Sequence, residues 1–113
     1  MARALGLFLV LAWQMSTAVA HAESVAEGER LFLHRCGFCH QFYDLGKEQI
    51  GPDLSQVAAR MERNEIAKYI RRPRSVNARS RMPGVHGLKD SQIEAIVHFL
   101  TTPRVVPAAV TEP

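Results

Sequence analysis

The sequence offers little that would hold a small scaffold together covalently. Only two cysteines occur in 113 residues, too few for a disulfide framework. No apolar run reaches the ~20 residues that a helix needs to cross a bilayer; Ala4 to Trp13 is the longest, at ten residues. There is no internal repeat and no alternating stretch long enough for a convincing strand. No base–nucleophile pair argues for hydrolytic chemistry. The composition, 47% hydrophobic and 22% charged with 7 Gly and 6 Pro, excludes a disordered chain, a collagenous repeat and a coiled coil. The length allows one domain. A chain this short buries a marginal core unless a metal, a cofactor or a disulfide supplements it.

Acidic residues are missing before Glu23. Met1-Ala2-Arg3 makes a positive start, the apolar run follows, and Gln14 to Ala22 is more polar and ends Ala20-His21-Ala22. This is the pattern of a secretory signal peptide with an A-x-A cleavage site. It predicts a leader over 1–22, export, and a periplasmic location in a Gram-negative cell. An uncleaved anchor is the alternative, for which the run is too short. One domain is expected over 23–103. The tail over 104–113 is expected to be mobile and to pack against nothing.

Helical signals dominate the rest. Ser24-Val25-Ala26-Glu27 has the form of a capping box, and helical spacing continues through Gly28, Leu31 and Phe32 towards Cys36. Residues 41–53, with Gly46, Gly51 and Pro52, are expected to be loop. Asp53 or Ser55 is a candidate cap for a short helix carrying Leu54, Val57, Ala58 and Met61. Asn64 is the candidate N-cap of the next helix, which Pro73 should stop. Residues 73–88 are expected to form an ordered loop. Asp90-Ser91 starts a last helix whose Ile93, Ile96, Val97 and Leu100 make an apolar stripe, ended by Pro103. Three to five helices joined by long loops result, an odd arrangement for a small domain unless something large lies beneath the loops.

The two cysteines supply that possibility. Cys36-Gly37-Phe38-Cys39-His40 is a C-x-x-C-H motif, the spacing of a c-type haem attachment site. Two thiols must reach two haem vinyl groups, and the adjacent imidazole must come under the iron. Thioredoxin-like sites share C-x-x-C but sit in a βαβ context that this chain lacks. Zinc would need two further ligands, and no second cysteine pair exists. A plain disulfide is compatible with export. The export signal strengthens the haem reading, because c-type haem is attached after translocation.

Further short motifs add to this one. Gly28-Glu29-Arg30-Leu31-Phe32 precedes Cys36, Gly51-Pro52-Asp53-Leu54 follows the haem motif, Arg81-Met82-Pro83 comes later, and Ile96-Val97-His98-Phe99-Leu100 lies near the end. In this order and spacing, from about Ser24 to Thr102, the chain resembles the mono-haem class I c-type cytochromes. The resemblance implies an all-α, cytochrome c-like fold, with three to five helices and long loops wrapped around one covalently attached haem c. It implies that the first and last helices cross closely through Gly28, Phe32 and Phe99. It implies Cys36 and Cys39 as the thioether residues, His40 as the proximal iron ligand, and the Pro52 carbonyl as acceptor for the other His40 nitrogen. Met82 is the implied second axial ligand, with Met61 and His86 as competitors. Tyr69 is a possible haem contact, against plain packing with its hydroxyl satisfied nearby. Arg72, Arg74, Arg79 and Arg81 are candidates to pair with the propionates. His34 and His98 are expected to be surface or packing residues. The family usually has Ser or Thr near Lys89, so the last helix is expected to start a residue late.

Charge is uneven. Residues 60–81 carry a net charge of +6 and residues 23–59 a net charge of −3. A solvated helix face accounts for part of this; the sharper expectation is a basic rim that steers acidic redox partners, with no nucleic acid and no membrane span in the mature form. The expected function is one-electron transfer between periplasmic redox proteins, with no catalytic residues, as a free carrier or as the electron-accepting subunit of a dehydrogenase or oxidase. A five-coordinate or labile-ligand haem protein that binds or senses small gases is the alternative, and a non-haem thiol-exchange protein is a third.

Overall fold

Residues 24–47 and 50–104 are described by the computed structural model; the expected leader and residues 105–113 of the tail lie outside them. Helix α1 covers 24–35. A tight antiparallel hairpin of β1 (Gln41–Phe42) and β2 (Leu45–Gly46) follows. Then come α2 (Val57–Arg60), α3 (Arg63–Arg71), α4 (Pro73–Val76) and α5 (Asp90–Thr101). The fold is mostly helical, as expected.

Several boundaries differ from expectation, each for a local reason. Ser24 is already helical, and the Glu27 carboxylate reaches forward to Arg30 at 2.8 Å rather than back to a cap. The stretch expected to be pure loop contains the hairpin. Its turn needs a left-handed residue, and Tyr43 supplies it at φ 53°. Asp53 does not cap α2. Its carboxylate instead accepts from the Ser55 N–H at 2.7 Å and from the Ser55 hydroxyl, an Asx turn that occupies the side chain before the helix begins. The cap of α3 is Glu62, not Asn64, and the Glu65 carboxylate accepts the Glu62 N–H at 3.3 Å. Pro73 ends α3 but also opens α4, because its fixed φ suits a first helical turn and its missing N–H is not needed there. Lys89 stands at the N-cap of α5, where Gln92 Oε1 accepts the Lys89 N–H at 2.9 Å. A lysine cannot return the second bond of a capping box, having no acceptor.

The core is built where α1 crosses α5. Phe32, Ile96 and Val97 are fully buried, and Leu31, Ile93, Phe99 and Leu100 nearly so. Phe42 from the hairpin joins them, its ring 4.9 Å from Phe99 and 5.9 Å from Phe32. Helix α3 closes another side with Ile66, Ala67 and Ile70. The crossing itself depends on Gly28. A Cβ there would stand 2.6 Å from Phe99 Cβ and 2.8 Å from the Ala95 carbonyl carbon. Neither can yield without moving α5.

Arg104 corrects the expectation for the tail at its first residue. Its guanidinium pairs with Asp44 at 2.8 Å and lies over the Tyr43 ring, 5.9 Å from the centroid. The segment leaving α5 is thereby fastened to the hairpin.

Gly28→Val should overpack the crossing and destabilise the holoprotein by about 1–3 kcal/mol. Chemical denaturation followed by circular dichroism measures this. An unchanged midpoint would show that α1 and α5 do not pack as closely as described.

Candidate functional site

The haem motif begins where α1 ends. The Cys36 and Gly37 N–H groups both donate to the Phe32 carbonyl, at 2.8 and 2.7 Å, and the His40 N–H donates to the Cys36 carbonyl at 2.9 Å. The motif is thus wound into a further turn that carries Cys36, Cys39 and His40 on one short segment. Both thiols are free, Cys36 buried and Cys39 partly so. Burial pushes the Cys36 thiol up to about 11, against a smaller pull from Arg35. At neutral pH it is therefore protonated and a poor nucleophile for disulfide exchange.

His40 is 8% exposed and one of only two buried polar residues among those described. Its Nδ1 lies 2.7 Å from the Pro52 carbonyl oxygen. A carbonyl only accepts, so Nδ1 carries the proton and Nε2 keeps its lone pair. The face of the ring rests on Gly51, where a Cβ would stand 2.6 Å from Nδ1 and 2.8 Å from Nε2. Any larger residue would displace the imidazole.

Local bonds bring Pro52 to this position. The Gly51 N–H donates to the Cys39 carbonyl at 2.9 Å, and the Leu54 N–H to the Gln41 carbonyl at 2.8 Å. Ser55 Oγ accepts the Tyr43 N–H at 2.7 Å. Gln41 Nε2 donates to the Tyr43 carbonyl at 2.7 Å, so both backbone groups of the left-handed residue are occupied. Hydrogen bonds from the Ser55 hydroxyl and N–H hold Asp53 below the usual carboxylate range.

Met82 lies on a separate segment between α4 and α5, half-buried. Its N–H donates to Ser80 Oγ at 3.3 Å, and the Tyr69 hydroxyl donates to the same oxygen at 3.0 Å. The Tyr69 hydroxyl is thus engaged with this loop. Met61 is the C-cap of α2 and packs against the core as a partly buried apolar residue, the ordinary use of a flexible thioether. His86 is exposed, and its carbonyl accepts from Arg35 at 2.7 Å. His34 is exposed and His98 partly buried.

The cations of residues 60–81 divide into two groups. Arg60 donates to the Asp53 carbonyl, Arg63 to Thr101 Oγ1, and Arg71 pairs with Asp90 at 2.9 Å. Lys68, Arg72, Arg74, Arg79 and Arg81 are all exposed. Ser80 and Gly51 were not singled out from sequence for these roles. Ser80 offers almost no signal, being a small polar residue between two arginines.

A c-type haem requires free thiols at this spacing and a proximal imidazole held in one tautomer, with its other ring nitrogen left for the iron. Cys36, Cys39, His40 and the Pro52 carbonyl fit those requirements, and Gly51 packs on the face of the ring. Comparison with known proteins agrees: the family model described as cytochrome c matches residues 25–103, while no match is found among curated proteins or among solved structures. The matched span contains the haem motif, the Gly51-Pro52 turn, the Met82 loop and both crossing helices, and the chain belongs to the cytochrome c family, whose members carry covalent haem and transfer electrons.

Proposed function

We propose that this chain is an exported mono-haem cytochrome that carries one electron at a time between redox proteins. The observation that supports this most is the clamped imidazole: His40 is buried, seated on Gly51, and bonded through Nδ1 to the Pro52 carbonyl. Such a bond fixes the ring and raises the basicity of the remaining nitrogen. Cys36 and Cys39 would hold one haem by thioethers, with His40 Nε2 and the Met82 thioether as axial ligands. Haem iron bound in this way supplies reversible one-electron exchange between its ferrous and ferric states.

The chain's own residues fit a carrier better than a catalyst. Met82 offers a soft donor, which favours the ferrous state and raises the potential. With His40 and Met82 both holding the iron, no position on it would be left for a substrate. Export rests on the Met1–Ala22 pattern, which in a Gram-negative cell would deliver the chain to the periplasm.

Partners would be acidic. Among the described residues, the side chains of Lys68, Arg72, Arg74, Arg79 and Arg81 are exposed without an ion pair or a hydrogen bond of their own. They lie on α3, at its junction with α4, on α4 and in the segment leading to Met82. Cations not engaged internally can steer an acidic surface, and the attraction weakens as salt rises. The partner is a free redox protein or a larger oxidoreductase of which this chain is the electron-accepting subunit.

Replacing Cys36 and Cys39 together by alanine should abolish covalent haem and stable folding. A haem-stained denaturing gel and far-ultraviolet circular dichroism follow the two effects; a colourless protein that remained helical would contradict the role given to haem in the core. Met82→Ala should remove the weak far-red sulfur-to-iron band of the ferric protein. It should also lower the potential, within the ~0.8 V that axial ligation spans. Met61→Ala should keep the band and cost less than the ~2–5 kcal/mol of a fully buried methionine. Loss of the band at Met61 with Met82 silent would overturn the ligand assignment.

A further inference from the structure

Among the described residues, Tyr43 alone takes a positive φ without being glycine, at 53°. It opens the two-residue turn of the hairpin, where glycine, asparagine or aspartate is the ordinary choice. A bulky side chain in this region is an outlier. Such strain persists only where the surroundings over-determine it.

Ser55 and Gln41 occupy the Tyr43 backbone groups, but the ring is held from the far end of the domain. Arg104, just beyond α5, lays its guanidinium over the Tyr43 ring, 5.9 Å from the centroid. Its Nη2 pairs with Asp44, the other residue of the turn, at 2.8 Å. The Arg104 side chain is 30% exposed, against 76% for Asp44. Its Nη1 is buried with no hydrogen-bond partner among the described residues. An orphaned donor is costly, so contact with the turn, rather than solvation, sets where the guanidinium lies. The Tyr43 ring also meets Phe42 in a T-shaped contact at 4.9 Å, and Phe42 belongs to the core.

This turn holds the segment that carries Pro52. Ser55 Oγ accepts the Tyr43 N–H at 2.7 Å and donates its own proton to the Asp53 carboxylate. Asp53 follows Pro52, whose carbonyl accepts from His40 Nδ1. The base of the hairpin is fastened to the haem motif itself. The Lys47 N–H donates to the Gly37 and His40 carbonyls at 2.9 and 3.2 Å. The hairpin therefore bridges the motif at its base and the Pro52 segment at its turn, and Arg104 acts on the turn.

We propose that Arg104 is a positioning residue for the proximal imidazole: by clasping the hairpin turn it maintains the Tyr43–Ser55–Asp53 hydrogen bonds that keep the Pro52 carbonyl on His40 Nδ1. The inference rests on His40 as the proximal ligand and is independent of the sixth ligand. For the Pro52 segment to leave the imidazole, the Tyr43–Ser55 bond must yield. With Arg104 in place, the turn cannot relax its left-handed residue without also giving up the ring contact and the ion pair. Local opening at His40 is correspondingly rarer. Because Arg104 follows α5, the proximal hydrogen bond is tied to the helix that crosses α1.

Proton exchange in the ferrous holoprotein, followed by nuclear magnetic resonance in deuterium oxide, tests this at the atom concerned. The His40 Nδ1 proton reports opening of its bond to Pro52. The N–H groups of Ile96 and Val97, fully buried in α5, report overall unfolding. Exchange through local opening is insensitive to low denaturant, whereas exchange through overall unfolding is accelerated by it. Arg104→Gln should speed exchange at His40 Nδ1 about fivefold, the factor expected from losing a cation–π contact and a surface ion pair, and the faster exchange should remain insensitive to low denaturant. Asp44→Asn should give a smaller change in the same direction. Tyr43→Gly removes the ring and the strain together, since glycine adopts positive φ freely, and in that background Arg104→Gln should add nothing. A full further acceleration there would show that Arg104 acts elsewhere and would overturn the proposal. So would a wild-type rate at His40 in Arg104→Gln, even with faster exchange at Ile96 and Val97, because Arg104 would then contribute to overall stability alone. Exchange at His40 that follows Ile96 and Val97 in its response to denaturant would overturn it too. Absence of a slowly exchanging Nδ1 proton from the wild-type protein would remove the clamp on His40 and this inference together. The Met82 assignment is read separately, from the far-red band.

Discussion

A buried imidazole must find an acceptor for its proton, and much of the chain between Gln41 and Val57 is arranged to provide one. The ring of His40 cannot turn, because Gly51 lies flat against it and the Pro52 carbonyl holds Nδ1. Pro52 stays in place because Gly51 is bonded to Cys39 and Leu54 to Gln41. Tyr43 accepts a left-handed backbone to close the hairpin, and Ser55 and Gln41 occupy its backbone groups. Each of these bonds is ordinary. Together they determine one tautomer and one orientation, and so direct Nε2 to a single task.

The rest of the architecture follows from placing that motif at the end of a helix that is itself immobile. Helix α1 is locked by the Gly28 crossing and by Phe32, which packs against Phe42 and Phe99. Phe42 belongs to the hairpin that leaves His40, so core and site share a residue. Helix α3 plays the matching part on the other side. It packs on the core through Ile66 and Ile70 and carries the Met82 loop on its C-terminal end. The charged exterior is divided along similar lines: Arg60, Arg63 and Arg71 tie elements together, and the remaining cations of the region face solvent.

The chemistry was more legible in the sequence than the geometry was. The C-x-x-C-H spacing names its own cofactor class, and the order of Gly28, the Gly51-Pro52 pair, Met82 and Phe99 identifies the family, which the match over 25–103 bears out. Helix α5 was readable because its apolar stripe is long and regular. Short elements were not. Asp53 looks like a cap but its carboxylate is taken by Ser55; Asn64 looks like a cap but lies inside α3; Pro73 looks like a stop and is also a start. For Asp53 and Asn64 a contact one to three residues away decides between two uses of the same residue type; for Pro73 the fixed φ and missing N–H suit both uses. Ser80 and Arg104 were illegible for a different reason. Their roles depend on partners 11 and 60 residues away, Tyr69 and Asp44, which no local pattern encodes.

The central proposal is that His40 and Met82 would together hold the haem iron, so that this cytochrome would carry electrons without binding a substrate. The most direct measurement is the optical spectrum of the haem-matured protein, ferric and ferrous, before and after exposure to carbon monoxide. The account predicts low-spin iron in both states, a far-red sulfur band in the ferric form, and a ferrous spectrum that carbon monoxide leaves unchanged. High-spin ferric iron, or a ferrous form that binds carbon monoxide readily, would contradict it and make the chain a ligand-binding haem protein.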